Sequence, residues 1–145
     1  MRLAAHRLAV ELPPGWEGRI FRHSEGLPTM HAANFPLPMD DADFGSGAVG
    51  ALRPGGVFLV LTEYDSALSG RGLFASHGVP FPLGARDFSP RTLQRALPGQ
   101  AGVQRFFTTA GRAFCLYVVV GLGGDPRGQL RQANQVLSSV LIEAI

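Results

Sequence analysis

The chain has 145 residues, 46% of them hydrophobic and 17% charged, which fits one domain with its own core and excludes a disordered chain. Cys115 is the single cysteine, so an internal disulfide framework and a cysteine-based zinc module are both excluded. The formal net charge of +2 is too small for a nucleic-acid footprint, and no nucleic-acid partner is expected.

Taken in chain order, His6–Leu12 alternates apolar and polar residues and predicts a half-buried strand ended by Pro13-Pro14-Gly15. Arg19–Ser24 and Thr29–Phe35 predict two further strands around Glu25-Gly26-Leu27-Pro28. Pro36–Gly56 is a long irregular segment in which Ser46–Leu52 can form a short helix. Val57–Tyr64 is the clearest central strand, apolar on both faces. Asp65–Asp87 is a second long irregular segment, of a length that often carries function. Ser89-Pro90 has the N-cap and first-turn proline of a helix, predicted over 90–97 and stopped by Pro98-Gly99. Val103–Thr109 and Ala113–Val120 flank the turn Ala110-Gly111-Arg112 and predict a hairpin. Asp125-Pro126 opens a last helix, predicted from Pro126 to Glu143, with Leu130, Ala133, Leu137, Val140, Leu141 and Ala144 on one face. The fold class expected is α+β: one domain over 1–145, with a mainly antiparallel sheet of about six strands. The C-terminal helix and the short 90–97 helix pack on it.

The basic residues are all arginine, a mark of GC-rich coding rather than of thirteen chosen anion contacts. They are unevenly placed. Residues 37–65 carry a balance of −4 and residues 86–131 a balance of +5, read first as solvated faces. The N-terminus has no apolar leader, and the longest apolar run, Phe114–Val120, is far too short for a membrane span. The expected address is cytoplasmic, with no membrane span.

Most motifs point to structure. Gly121-Leu122-Gly123-Gly124-Asp125-Pro126 resembles a phosphate-binding strand-to-helix turn, but Pro126 stands at the third glycine position and no strand follows to close a βαβ unit. Asp40-Asp41-Ala42-Asp43 fails as a calcium loop at its fifth, sixth and twelfth positions. Cys115 lies in an apolar strand and reads as a small hydrophobe. No two histidines lie close enough in sequence to form a local metal pair, and no cofactor is expected. Glu63 and Asp65 are placed at the exposed end of the central strand, and Trp16 plugs one end of the core.

The opening strand ending Leu12-Pro13-Pro14-Gly15-Trp16, the β-rich middle, the hairpin and the closing helix with Val136-Leu137-Ser138-Ser139-Val140-Leu141-Ile142 resemble the PsbP-like family in the broad sense. That family includes DcrB-type proteins and Eag-type chaperones. The composition also looks like that of actinobacterial, hence bacterial, proteins. The resemblance implies an antiparallel sheet with helices on its faces and non-enzymatic, protein-binding work. The function expected is therefore a non-catalytic protein-binding or accessory domain. The alternatives are a small-molecule binder with a cleft between sheet and long loops, and an enzyme with a spatially assembled His, Glu or Asp site. The proposed partner surface is Leu73–Leu83, with Phe74, Val79, Phe81 and Leu83 as the contact residues. A homodimer through an exposed sheet edge is a further option.

Overall fold

The computed structural model describes residues 1–145. It is an α+β fold with eight strands in two antiparallel sheets, against about six strands in one sheet from the sequence. The larger sheet runs β3 (Glu17–Phe21), β4 (Thr29–Ala33), β5 (Val57–Tyr64), β7 (Arg112–Gly121), β6 (Gln100–Thr109). The smaller runs β1 (Arg2–Ala5), β2 (Leu8–Glu11), β8 (Leu141–Ile142). There are two α-helices, α1 (Ser46–Ala51) and α2 (Pro126–Ser138).

β5 and β7 sit at the centre of the large sheet because both are apolar on both faces; every residue of β7 is buried. The β6–β7 hairpin turns at Ala110 and Gly111, both at positive φ, which matches the right-handed twist of the strands. Opposed residues share a face, so Leu59, Val118 and Val103 form one row, and Val60, Tyr117 and Gln104 form a row on the other side.

The first face carries the main core of 21 buried residues. Leu8, Val10 and Leu12 of the small-sheet segment and Ala133, Val136 and Leu137 of α2 cover it. Trp16 is buried within this cluster. The second face carries only eight buried residues, and Ala48, Val49 and Leu52 in and just after α1 supply its lid.

Some strand ends shift by two or three residues, with β3 at Glu17–Phe21 and β6 starting at Gln100, and three larger differences from the sequence reading change the layout. The segment read as one strand over His6–Leu12 is the second arm of a hairpin whose turn is His6 and Arg7, both at positive φ. Residues 90–97 form no helix. Ser89 exchanges two backbone hydrogen bonds with Gly102 (2.8 and 2.9 Å), and the Gln94 N–H donates to the Tyr117 hydroxyl (2.8 Å) instead of to a helical carbonyl. A Cβ on Gly102 would strike the Thr92 carbonyl, so this stretch lies flat on β6. Finally, α2 ends at Ser138 rather than Glu143. The Ser139 hydroxyl accepts from the Glu11 N–H (2.9 Å) and donates to the Val136 carbonyl (2.7 Å), and the chain then pairs with β2 as β8. Leu141, expected on the apolar stripe, is consequently exposed.

Candidate functional site

The segment between β5 and β6 is the longest without regular elements, yet it is stitched down along its whole length. The Asp65 carboxylate accepts from the Ala67 N–H (2.8 Å) and starts a first 3-10 turn, Ser66–Leu68. The Thr108 hydroxyl accepts from the Gly70 N–H (2.8 Å) and donates to the Phe74 carbonyl (2.6 Å). The Thr108 backbone takes one bond to Ser76 and one from Gly78 (2.7 and 2.9 Å). On α2, the Asn134 side-chain amide accepts from the Leu83 N–H (2.7 Å) and donates to the Leu83 carbonyl (3.0 Å). The Asp87 carboxylate accepts from the Gly84 N–H (2.7 Å) and pairs with Arg105 (2.9 Å).

This clamping sorts the four proposed contact residues. Phe74 and Leu83, each 5% exposed, belong to the interior and are corrected from partner surface to core. Phe74 packs on the rings of Tyr64 and Phe106 (5.3 and 5.4 Å between centroids), and Leu83 joins the main core. Val79 is half-buried against the same core. Phe81 remains 48% exposed. Leu73, which opens the proposed surface but is not among its named contact residues, is 69% exposed. A 3-10 turn over Gly72–Phe74 directs Phe74 inward and leaves its neighbour outside.

Candidate catalytic groups are largely committed to the fold. Glu63 is not at an exposed end: its carboxylate is buried and accepts from Nη2 and Nε of Arg112 (2.7 and 3.0 Å). Arg112 also donates to the carbonyls of His6, Arg7 and Glu143, so one buried ion pair ties the β1–β2 turn and the chain end to the large sheet. The register that pairs Glu63 with Phe114 places Arg112 two residues away on the same face, a signal that only the strand pairing reveals. Cys115 is buried, and burial pushes its thiol pKa up to about 11, which leaves it protonated and unreactive at neutral pH.

Of the acidic run, Asp41 accepts from the N–H groups of Ala42, Gly47 and Ala48 (2.9–3.0 Å) and anchors the start of α1. Asp43 joins two histidines. Its carboxylate meets His23 Nε2 at 3.1 Å on the surface, while its carbonyl accepts from His31 Nε2 at 2.7 Å beneath. His31 is buried between Phe21 and Phe58, and burial lowers its pKa below the usual 6.5. No three His, Cys, Asp or Glu side chains converge as a metal site requires.

The glycine turn after β7 is packed against the 53–55 turn. Cβ atoms on Gly121 and Gly124 would strike the Arg53 carbonyl and the Gly55 backbone, so these glycines serve close approach between two turns. A cleft of about 510 Å³ opens beside them, lined by Asn34, Arg53 and Gly55 among others. The Asn34 side chain is occupied by Gly55, Val57 and Gln132. The outer edge of β6 is bridged by His77 at Thr108 and by Ser89 at Gly102, which blocks both ends of that edge to a second copy. No helix is long and apolar enough to cross a membrane. No family model, curated protein or solved structure matches this chain.

Proposed function

We propose that the chain is a non-catalytic protein-binding or accessory domain and that the segment from Asp65 to Phe88 presents its contact surface. One observation carries this reading: a long segment held by side chains of β6 and α2 still leaves three large apolar side chains, Leu68, Leu73 and Phe81, in solvent. A loop ordered in advance loses little entropy on docking, and exposed aromatic and aliphatic anchors contribute most of the energy at such surfaces. The commitment of Glu63, Cys115, Asp41 and Asp65 to structural contacts supports work without covalent chemistry. Within this reading the chain is cytoplasmic and bacterial, and its resemblance to PsbP-like proteins is a relationship of shared element order.

The test is affinity capture from the source cell with the wild type and with Leu73→Asp/Phe81→Asp, alongside the thermal midpoint of each. Retained stability with loss of the captured protein supports the proposal. Identical capture by both proteins contradicts it.

A second reading has one observation in its favour. His23 and Asp43 touch beside a hollow of about 300 Å³ that Arg19 and Arg22 also line, a setting for acid–base work on an anion. Both side chains are about half exposed, and the Arg22 guanidinium is turned to the Gly26 carbonyl (3.1 Å). Turnover of an anionic ester that disappears in His23→Ala would favour it.

A further inference from the structure

A groove of about 240 Å³ lies between the same long segment, the large sheet and α2. Ala101 and Val120 lie on the sheet side, Phe88 and Pro90 on the segment side, and Pro126 and Leu130 on the helix side. Its Gln129 amide donates to the Gly56 and Gly121 carbonyls and does not offer itself to a ligand. The space is below the roughly 300 Å³ at which pockets for drug-sized molecules begin, and it suits one or two apolar side chains.

No charged side chain lines the groove, but the segments that build it carry charge mostly of one sign. Ala85, Pro90, Pro126 and Leu130 line the groove, and the next residue after each is an arginine: Arg86, Arg91, Arg127 and Arg131. All four are exposed. Of the two acidic residues at this end, Asp87 is already paired with Arg105. Asp125 lies over Gly128, where Arg131 also leans, and so offsets one of the four. Arg86, Arg91 and Arg127 are left without an acidic partner.

We infer that this groove docks an acidic peptide segment of a partner protein, with an apolar side chain seated among Phe88, Leu122 and Leu130 and flanking carboxylates facing the arginine rim. Charge complementarity selects the partner, because an apolar slot alone accepts any hydrophobe while this rim repels basic flanks. A second copy of the chain fits less well: on its acidic loop Asp41 is committed to α1, Asp43 faces His23, and Arg19 lies against Met39. The inference rests on the protein-binding reading but concerns a surface separate from Leu73 and Phe81.

The test is fluorescence anisotropy with five labelled octapeptides, each an acidic frame of Glu and Asp around a Phe, Leu, Ile, Met or Trp core. Controls replace the acids by Lys or the core by Ser. At least one acidic peptide should bind saturably, weaken with added salt, and bind roughly tenfold less well to Leu122→Glu and several-fold less well to Arg127→Glu. Leu122 and Arg127 are exposed, so both variants should keep the wild-type thermal midpoint. Binding by Leu73→Asp/Phe81→Asp should be unchanged, which separates failure of this inference from failure of the broader reading. Absence of binding by all five acidic peptides would overturn the inference, as would equal binding of the Lys or Ser controls, or unaltered affinity in Leu122→Glu. Saturable binding of octanoate without any peptide binding, or self-association abolished by Leu122→Glu, would assign the groove to another occupant and also overturn it.

Discussion

The two faces of the large sheet are built by different means. One is sealed by a second sheet and a thirteen-residue helix over 21 buried residues; the other has a six-residue helix, irregular chain and eight. The first face needs little polar help in its middle, because apolar area alone holds it. The second face relies on specific hydrogen bonds: Asp41 to the start of α1, Tyr117 to Gln94, Gln100 to the Val49 carbonyl, and His31 to the Asp43 carbonyl. Thr62 Oγ1 and Gln100 Oε1 are buried there without a partner, so this small apolar lid is sensitive to protonation and to loss of one bond. The molecule is thus robust on one side and conditional on the other.

The largest expected effect breaks the first face. Leu137→Asp puts a carboxylate among apolar side chains and should cost more than about 4 kcal/mol, with the denaturation midpoint as the readout. An unchanged midpoint would remove α2 from the core. Next comes the ion pair that joins the small sheet to the large one. Arg112→Met leaves Glu63 buried and unpaired and should cost about 3–5 kcal/mol, and Arg112→Met/Glu63→Leu should recover part of that loss. Equal destabilisation of the single and double variants would deny the pair its role.

A smaller effect sharpens the contrast through pH. Burial lowers the His31 pKa in the folded state, with Asp41 and Asp43 opposing that shift and Arg19 adding to it. The unfolded state therefore binds a proton at a higher pH than the folded state does. The contribution of His31 to stability is full above about pH 6.5 and falls as pH drops toward the lowered folded value. Denaturant titrations between pH 7.5 and 5 should show this slope in the wild type and a flatter one in His31→Gln. A parallel slope in the variant would place the sensitivity elsewhere. The smallest effect is on Cys115: a thiol reagent should label it slowly in the native protein and quickly after unfolding. Rapid native labelling would contradict the sealed centre of the sheet.

What the sequence showed follows the same division. β5 was legible to the residue because its apolar run needs no partner to declare itself, and the β6–β7 hairpin was legible from its Ala110-Gly111 turn. β1 was missed because His6 and Arg7 carry no turn signature; their positive φ accompanies carbonyls aimed at Arg112, a partner far away in sequence. The 90–97 helix was over-read because Ser89-Pro90 is a true start signal, yet Gly102 and Tyr117 captured the backbone groups a helix would use. In the candidate surface, composition correctly marked Leu73–Leu83 as apolar but could not sort it. Only the bonds from Thr108 and Asn134 decide that Phe74 and Leu83 turn inward while Leu73 and Phe81 stay out.

Hydrogen exchange across Asp65–Phe88 tests most directly whether this surface is held in place before any partner arrives. The amides of Gly70, Gly78, Leu83 and Gly84, each bonded to a named acceptor, should exchange slowly. Thr108→Val, which removes the hydroxyl clamp, should release Gly70 first. Exchange of all four amides in the wild type as fast as in an unstructured peptide would contradict a pre-ordered contact surface.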